Sequence, residues 1–167
     1  MSKYSSNLCT GGTAICNGYT SGYPAANAFD SDTSTYWESA ETGSSVIGVS
    51  WIGYNFGKKV NIKKFNIYTD EVGGGSLGLE GHNESSVIIS YSDNGSSWTT
   101  LETLSIATTS SSWITGTLST KNNTPHQYWR IVANVTPWRV DSSTWMVHEI
   151  EMYSLLGGNS YIIGWLD

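Results

Sequence analysis

Charge is scarce in this sequence. Charged side chains fill 13% of its 167 positions, and the 8 basic ones are outnumbered by 14 acidic ones, for a formal net charge of −6. No basic cluster exceeds Lys58-Lys59 or Lys63-Lys64, so nothing offsets the repulsion from phosphate backbones and anionic headgroups. Nucleic acid is excluded as a partner, and a membrane surface is disfavoured. Long apolar runs are missing too: the longest late stretch, Tyr161 to Leu166, is far too short to cross a bilayer. Met1 to Leu8 holds one Lys and no apolar run, which predicts a chain without a secretory signal. Cysteine is limited to Cys9 and Cys16. Their spacing matches no zinc pattern and leaves open either a small disulfide loop closed over a glycine turn or two unpaired thiols.

What is abundant points to strands. Gly, Ser, Thr and Asn fall in short clusters that read as turns. Between them lie β-branched and aromatic segments, predicting strands near 46–56, 62–68, 86–92, 98–105, 113–119, 127–135 and 145–154. One helical turn is expected, at Pro24 to Phe29. The clearest hairpin signal is Ser90-Tyr-Ser-Asp93-Asn94-Gly95-Ser96-Ser97-Trp98, because Asn-Gly tolerates the positive φ of a tight reversal. Eight Trp and ten Tyr against three Phe favour rings with a polar handle, suited equally to a core and to a binding surface. The fold class expected is all-β, an antiparallel β-sandwich in one domain over 1–155, with an apolar tail at 156–167 that packs on the domain or docks on a neighbour.

At Pro24-Ala-Ala-Asn27-Ala-Phe29-Asp30-Ser31-Asp32-Thr33-Ser34-Thr35-Tyr36-Trp37 the chain resembles the Asn-Ala-Phe-Asp-Gly-Asp-x-x-Thr-x-Trp signature of discoidin, coagulation-factor type C and family-32 carbohydrate-binding modules. Trp51-Ile-Gly-Tyr-Asn-Phe-Gly57, the Ser92-Asp-Asn-Gly-Ser-Ser-Trp98 hairpin, Tyr128-Trp-Arg-Ile131 and His148-Glu-Ile-Glu-Met-Tyr153 are similar to later segments of the same family. The resemblance implies a galactose-binding-domain-like jelly roll and a structural calcium ion. Calcium is a hard cation that takes several oxygens from an irregular loop. The resemblance assigns it the Asp30 carboxylate, the Thr35 hydroxyl and carbonyl, the Asn27, Asp32 and His148 carbonyls, and the Glu149 carboxylate. The family's Gly between the two acids is Ser31 here. The competing reading of Asp30, Asp32 and Thr35 is a turn held by side-chain to main-chain hydrogen bonds.

In resembling modules a ligand sits at the loop end of the sandwich, where a ring stacks on a sugar and a few polar side chains fix its hydroxyls. Three loops are candidates here: Glu38 to Ser45, Asp70 to Ser85 and Thr136 to Met146. The preferred recognition residues are Trp138, Arg139 and Trp145, with Glu38, Asp70, His82 and Asn83 beside them. The function expected is a non-catalytic, lectin-like module that binds a glycan or glycoconjugate, placed outside the cell or on a surface. The alternative is a structural or adhesion component of a virion or surface assembly, contacting a protein neighbour through the tail. Glu149 and Glu151 share a strand face as a glycosidase pair would, but the calcium role explains Glu149 more simply. His82, His126 and His148 lack the context of a nucleophile motif.

Overall fold

The computed structural model describes residues 3–69, 86–105, 112–119, 123–134 and 144–156. Its strands are β1 (Thr13–Cys16), β2 (Trp37–Glu38), β3 (Trp51–Val60), β4 (Lys64–Thr69), β5 (Ser86–Ser92), β6 (Thr99–Ser105), β7 (Ser112–Thr117), β8 (His126–Ala133), β9 (Met146–Val147) and β10 (Glu149–Tyr153). Short 3-10 turns occupy Ala25–Phe29 and Gly43–Val46. Every described pairing is antiparallel. The strands form a five-stranded sheet, β1-β3-β8-β5-β6, a three-stranded sheet, β10-β4-β7, and a small β2-β9 ribbon.

Alternation sends every second residue inward. Ile52, Tyr54 and Phe56 of β3, Val87 and Ile89 of β5, and Trp129, Ile131 and Ala133 of β8 supply one wall of the core. Phe65 and Ile67 of β4, Ile114 of β7, and Ile150 and Met152 of β10 supply the other. Trp37 and Trp129 are fully buried, and each satisfies its indole N–H: Trp37 donates to the Gly18 carbonyl at 3.1 Å, and Trp129 reaches the Val60 and His126 carbonyls at 3.2 Å each. Cys9 and Cys16 are free thiols.

Several expectations shift. The strand expected from Val46 starts at Trp51, because Val46 turns into the core from a 3-10 turn and Gly48, at φ 69°, reverses the chain before β3. The strand expected at 145–154 divides at His148, since β9 pairs with β2 while β10 pairs with β4. The hairpin turn is longer than Asn-Gly alone. Gly95 carries the positive φ of 74°, and Asn94 instead accepts hydrogen bonds from the Ser96 and Ser97 amides at 2.9 and 2.8 Å. The expected helical turn stands at Ala25–Phe29 after Pro24. Of the tail, only Leu156 lies among the described residues, where its amide bonds the Lys3 carbonyl at 3.0 Å.

The register defines one end of the sandwich. Trp51 faces Val132, Val87 faces Ala133, Ser86 faces Ser105, Thr69 faces Ser112, and Tyr68 faces Glu149. The segments 39–50, 70–85, 106–111 and 134–145 therefore all connect strand ends on one side. Backbone bonds tie that side together: Ser39 to Trp145 at 2.8 Å, Gly48 to Ala133 at 2.8 Å, and His148 to Tyr68 at 3.1 Å.

Gly53 holds the tightest approach in the five-stranded sheet. A Cβ there would stand 2.2 Å from the Trp129 carbonyl oxygen and 2.7 Å from the Arg130 Cβ. Both contacts are backbone or backbone-proximal and cannot swing away. Gly53→Ala is expected to destabilise by about 1–3 kcal/mol, the usual cost of overpacking. An unchanged urea midpoint would contradict this packing.

Candidate functional site: an oxygen-rich loop and the loop end

The 3-10 turn Ala25–Phe29 delivers Asp30 to a loop whose polar groups fold inward on Thr35. The Thr35 hydroxyl lies 2.8 Å from Asp30 Oδ2, 3.1 Å from the Asp32 carbonyl oxygen and 3.2 Å from the Asn27 carbonyl oxygen. Asn27 is anchored through its amide to the Tyr36 carbonyl at 3.0 Å. The Asp32 carboxylate is taken by Ser34, whose amide and hydroxyl reach it at 2.9 and 2.6 Å and hold its pKa below the usual value. The Asp32 carbonyl is thus left to face Thr35, and the Asp30 carboxylate to close the cluster.

Ser31 joins this loop to the last strand. Its amide donates to Glu149 Oε2 at 3.1 Å, across 118 positions of sequence. To aim that amide Ser31 adopts φ 66°, the one left-handed non-glycine among the described residues. That conformation is where glycine is free and other L-residues are strained, which accounts for the glycine of the resembling signature at this place.

The structure therefore brings Asn27, Asp30, Asp32 and Thr35 around one hydroxyl and ties Glu149 to them. His148, next in chain, is buried, with its ring 5.2 Å from Tyr36 and 6.2 Å from Tyr68. The donor chemistry fits a hard cation. A hydroxyl has one hydrogen to share among three facing oxygens, so two of those approaches are oxygen against oxygen without a proton between. Glu149 is 2% exposed. Burial first, and then the charges of Asp30, Glu151 and Asp32, push its carboxyl up to about 7. No Lys, Arg or His among the described residues pairs with Asp30, Asp32 or Glu149. Nor do three Asp, Glu, His or Cys side chains among the described residues gather into a metal set of their own. The available set is two carboxylates completed by carbonyls and a hydroxyl.

At the loop end Glu38 is fixed by Thr144, whose hydroxyl donates to its carboxylate at 2.7 Å. The Ser39 hydroxyl receives the Trp145 amide at 2.8 Å and donates to the Glu41 carbonyl at 2.9 Å. Two of the three expected loops thus meet here. Trp145 itself is a correction. It is 3% exposed and sits edge-on to Trp37 at 5.3 Å, so its ring is spent on the core and offers no face to a ligand. Asp70, His82, Asn83, Trp138 and Arg139 lie outside the described residues.

Two rings that sequence reasoning passed over stand at this end. Trp113, at the start of β7, is 42% exposed and packs edge-on to Tyr68 at 5.5 Å. Tyr19 is 52% exposed and precedes Thr20, whose amide and hydroxyl bond the Glu38 and Ser39 carbonyls. Strand pattern alone gave Trp113 an unremarked place at the head of a strand, and Tyr19 lies in a stretch without periodicity.

The F5/8 type C domain family matches residues 5–150. No curated protein matches the chain in sequence. Among solved structures, the F5/8 type C domain of a Bacteroides fragilis protein is 19% identical, with a TM-score of 0.67 over 93% of this chain and 99% of that one. The family 32 carbohydrate-binding module of C. perfringens NanJ, in complex with galactose, is 17% identical, with a TM-score of 0.65 over 90% and 99%. A mutant of chitosan-binding module 1 from a Paenibacillus sp. IK-5 chitosanase/glucanase is 21% identical, with a TM-score of 0.62 over 89% and 98%. At such identities these structures speak for the jelly-roll β-sandwich. With the family match over nearly the whole chain and the sandwich in place, the chain belongs to the F5/8 type C domain family.

Proposed function

We propose that this chain is a non-catalytic carbohydrate-binding module whose loop end receives a sugar and whose first loop is held to its last strand by calcium. The observation that carries the reading is the pair of exposed rings. Among the described residues, Tyr19 and Trp113 are the aromatics left largely open to solvent; Trp113 lies beside the Thr69–Ser112 strand end, and Tyr19 precedes Thr20, whose amide bonds the Glu38 carbonyl. Flat rings with polar neighbours such as Glu38 are what a pyranose needs: a face for its C–H groups and acceptors for its hydroxyls. The similar NanJ module is in complex with galactose and the similar Paenibacillus module is named for chitosan. The fold is thus shared with proteins whose sugars differ. Trp138 and Arg139 remain the candidate recognition residues of the 134–145 segment, with Asp70, His82 and Asn83 of the 70–85 segment.

Calcium would take the Asp30 and Glu149 carboxylates, the Thr35 hydroxyl and the Asn27, Asp32, Thr35 and His148 carbonyls. Its charge would neutralise a carboxylate group that no cationic side chain among the described residues answers. The other strand carboxylate, Glu151, is committed elsewhere. It accepts hydrogen bonds from the Tyr153 hydroxyl and from the Asn66 amide, the latter at 3.0 Å. With Glu149 taken by calcium and Glu151 by Tyr153 and Asn66, neither acid of the β10 pair would be free for acid-base work, which favours a binding role.

The test is thermal unfolding in calcium, in chelator, and in calcium with galactose, N-acetylgalactosamine, fucose or N-acetylglucosamine. A ligand at a hundred times its Kd adds about 2.7 kcal/mol, so calcium and then one sugar should each raise the midpoint, and Trp113→Ala should remove the sugar shift alone. No sugar shift with any member of the panel would count against the loop-end reading.

A second expectation follows from Glu149. Because its folded pKa is raised from 4.5 to about 7, the folded chain holds a proton that the unfolded chain has released. Stability in chelator should therefore fall as pH rises through that window. In Glu149→Gln the window should be flat. Urea titrations at pH 5 and pH 8 measure it, and equal stabilities in the parent protein would refute the burial argument.

A further inference from the structure

Arg130 lies mid-strand in β8, on the outer face of the five-stranded sheet, with Gly53 of β3 on one side and Ser90 of β5 on the other. Its guanidinium carbon is 4.1 Å from the Trp98 ring centroid and 5.0 Å from that of Trp51, and the two indoles are 5.4 Å apart at 50°. The three groups close a triangle. Gly53 makes room for it, since any side chain there would collide with the Arg130 backbone and Cβ. Trp98 reaches this place from just beyond the 93–97 turn, ahead of β6.

Indole faces hold a guanidinium by its flat face. Its N–H groups point the other way, along the edge in the guanidinium plane, where a carboxylate or sulfate is met in bidentate fashion. Here that edge goes unused. Among the described residues Arg130 makes no ion pair and donates no hydrogen bond; its Nε is buried, which leaves the two Nη groups as the donors open to a ligand. By contrast, Lys59 is paired with Asp93 at 3.1 Å. Burial lowers the Arg130 pKa to about 10, with no acidic neighbour among the described residues to raise it again. A half-buried guanidinium whose orientation is fixed and whose donors are unspent is a preorganised receptor for an oxyanion.

We infer that Arg130, framed by Trp51 and Trp98, is a second ligand site, separate from the loop end, that takes the carboxylate or sulfate of an acidic saccharide. The indoles beside the guanidinium supply the apolar surface on which the sugar ring rests. The exposed Thr99 and Thr100 at the head of β6 supply hydroxyls nearby. The net charge of −6 selects against long polyanions, so the occupant is a short segment with one or two acidic groups. This site does not depend on the loop-end reading and stands or falls separately from it.

The chain has two arginines, Arg130 and Arg139, so their Nε–H resonances are resolved by NMR and assigned with Arg139→Lys. The probes are a glucuronate-containing disaccharide, its sulfated form, galactose and sodium acetate. The Arg130 resonance is expected to move and saturate with the acidic disaccharides and to stay fixed with galactose. Arg130→Lys, which keeps the charge but loses the fork, should weaken acidic-disaccharide binding about tenfold and leave any galactose binding unchanged. A resonance unmoved by the acidic sugars, or moved equally by acetate at the same concentration, overturns the inference, as does full binding by Arg130→Lys. Should that variant fail to fold, the resonance of the parent protein decides alone.

Discussion

The hydrogen bond from the Ser31 amide to the Glu149 carboxylate ties the acidic loop, in the first quarter of the chain, to the last strand. Around it the other constraints fall into place. Ser31 accepts a left-handed backbone to aim its amide, Asp30 and Thr35 fold over the same point, and Glu149 is buried although carboxylates rarely are. β10 carries Glu149 on the same strand that pairs with β4, and His148 before it bonds the Tyr68 carbonyl. The root of the loop end is therefore fixed by the element that also holds the acidic loop.

The rest of the architecture is a division of labour between faces. Inward positions of both sheets are apolar and closed. Outward positions carry the polar chemistry, in three separate places: the oxygen cluster beside β10, the exposed rings at the loop end, and the indole-framed Arg130 on the five-stranded sheet. None of the three shares a side chain with another. A ligand at one need not disturb the others, and the scarcity of charge means that few long-range fields couple them.

The sequence made some of this legible and left some of it hidden, for physical reasons. Period-two alternation marked β5, β8 and β10, and the signature from Asn27 to Trp37 marked the acidic loop, because both are local patterns. The turn at Ala25–Phe29 was readable from Pro24. β1 and β2 were missed, and β9 was joined to β10 in a single expected strand. Each is four residues or fewer, too short for periodicity, and exists because a longer strand elsewhere accepts its hydrogen bonds or because two such fragments pair with each other. Trp145 was expected among the recognition residues because it lies in the Thr136 to Met146 loop with Trp138 and Arg139. Its burial against Trp37 is a tertiary fact that no window contains. The Arg130 triangle is likewise assembled from three strand regions. Local pattern therefore recovered the sandwich and the acidic loop, whereas the sites made by distant residues required the folded chain.

The claim that the oxygen cluster is a cation seat is tested most directly by calorimetric titration of the metal-free chain with calcium. The account predicts one ion per chain and an affinity at least about tenfold weaker in Glu149→Gln, which loses a charged ligand while keeping the acceptor for Ser31. Absence of binding, or binding equally tight in that variant, would mean that the loop and the last strand are joined by hydrogen bonds alone.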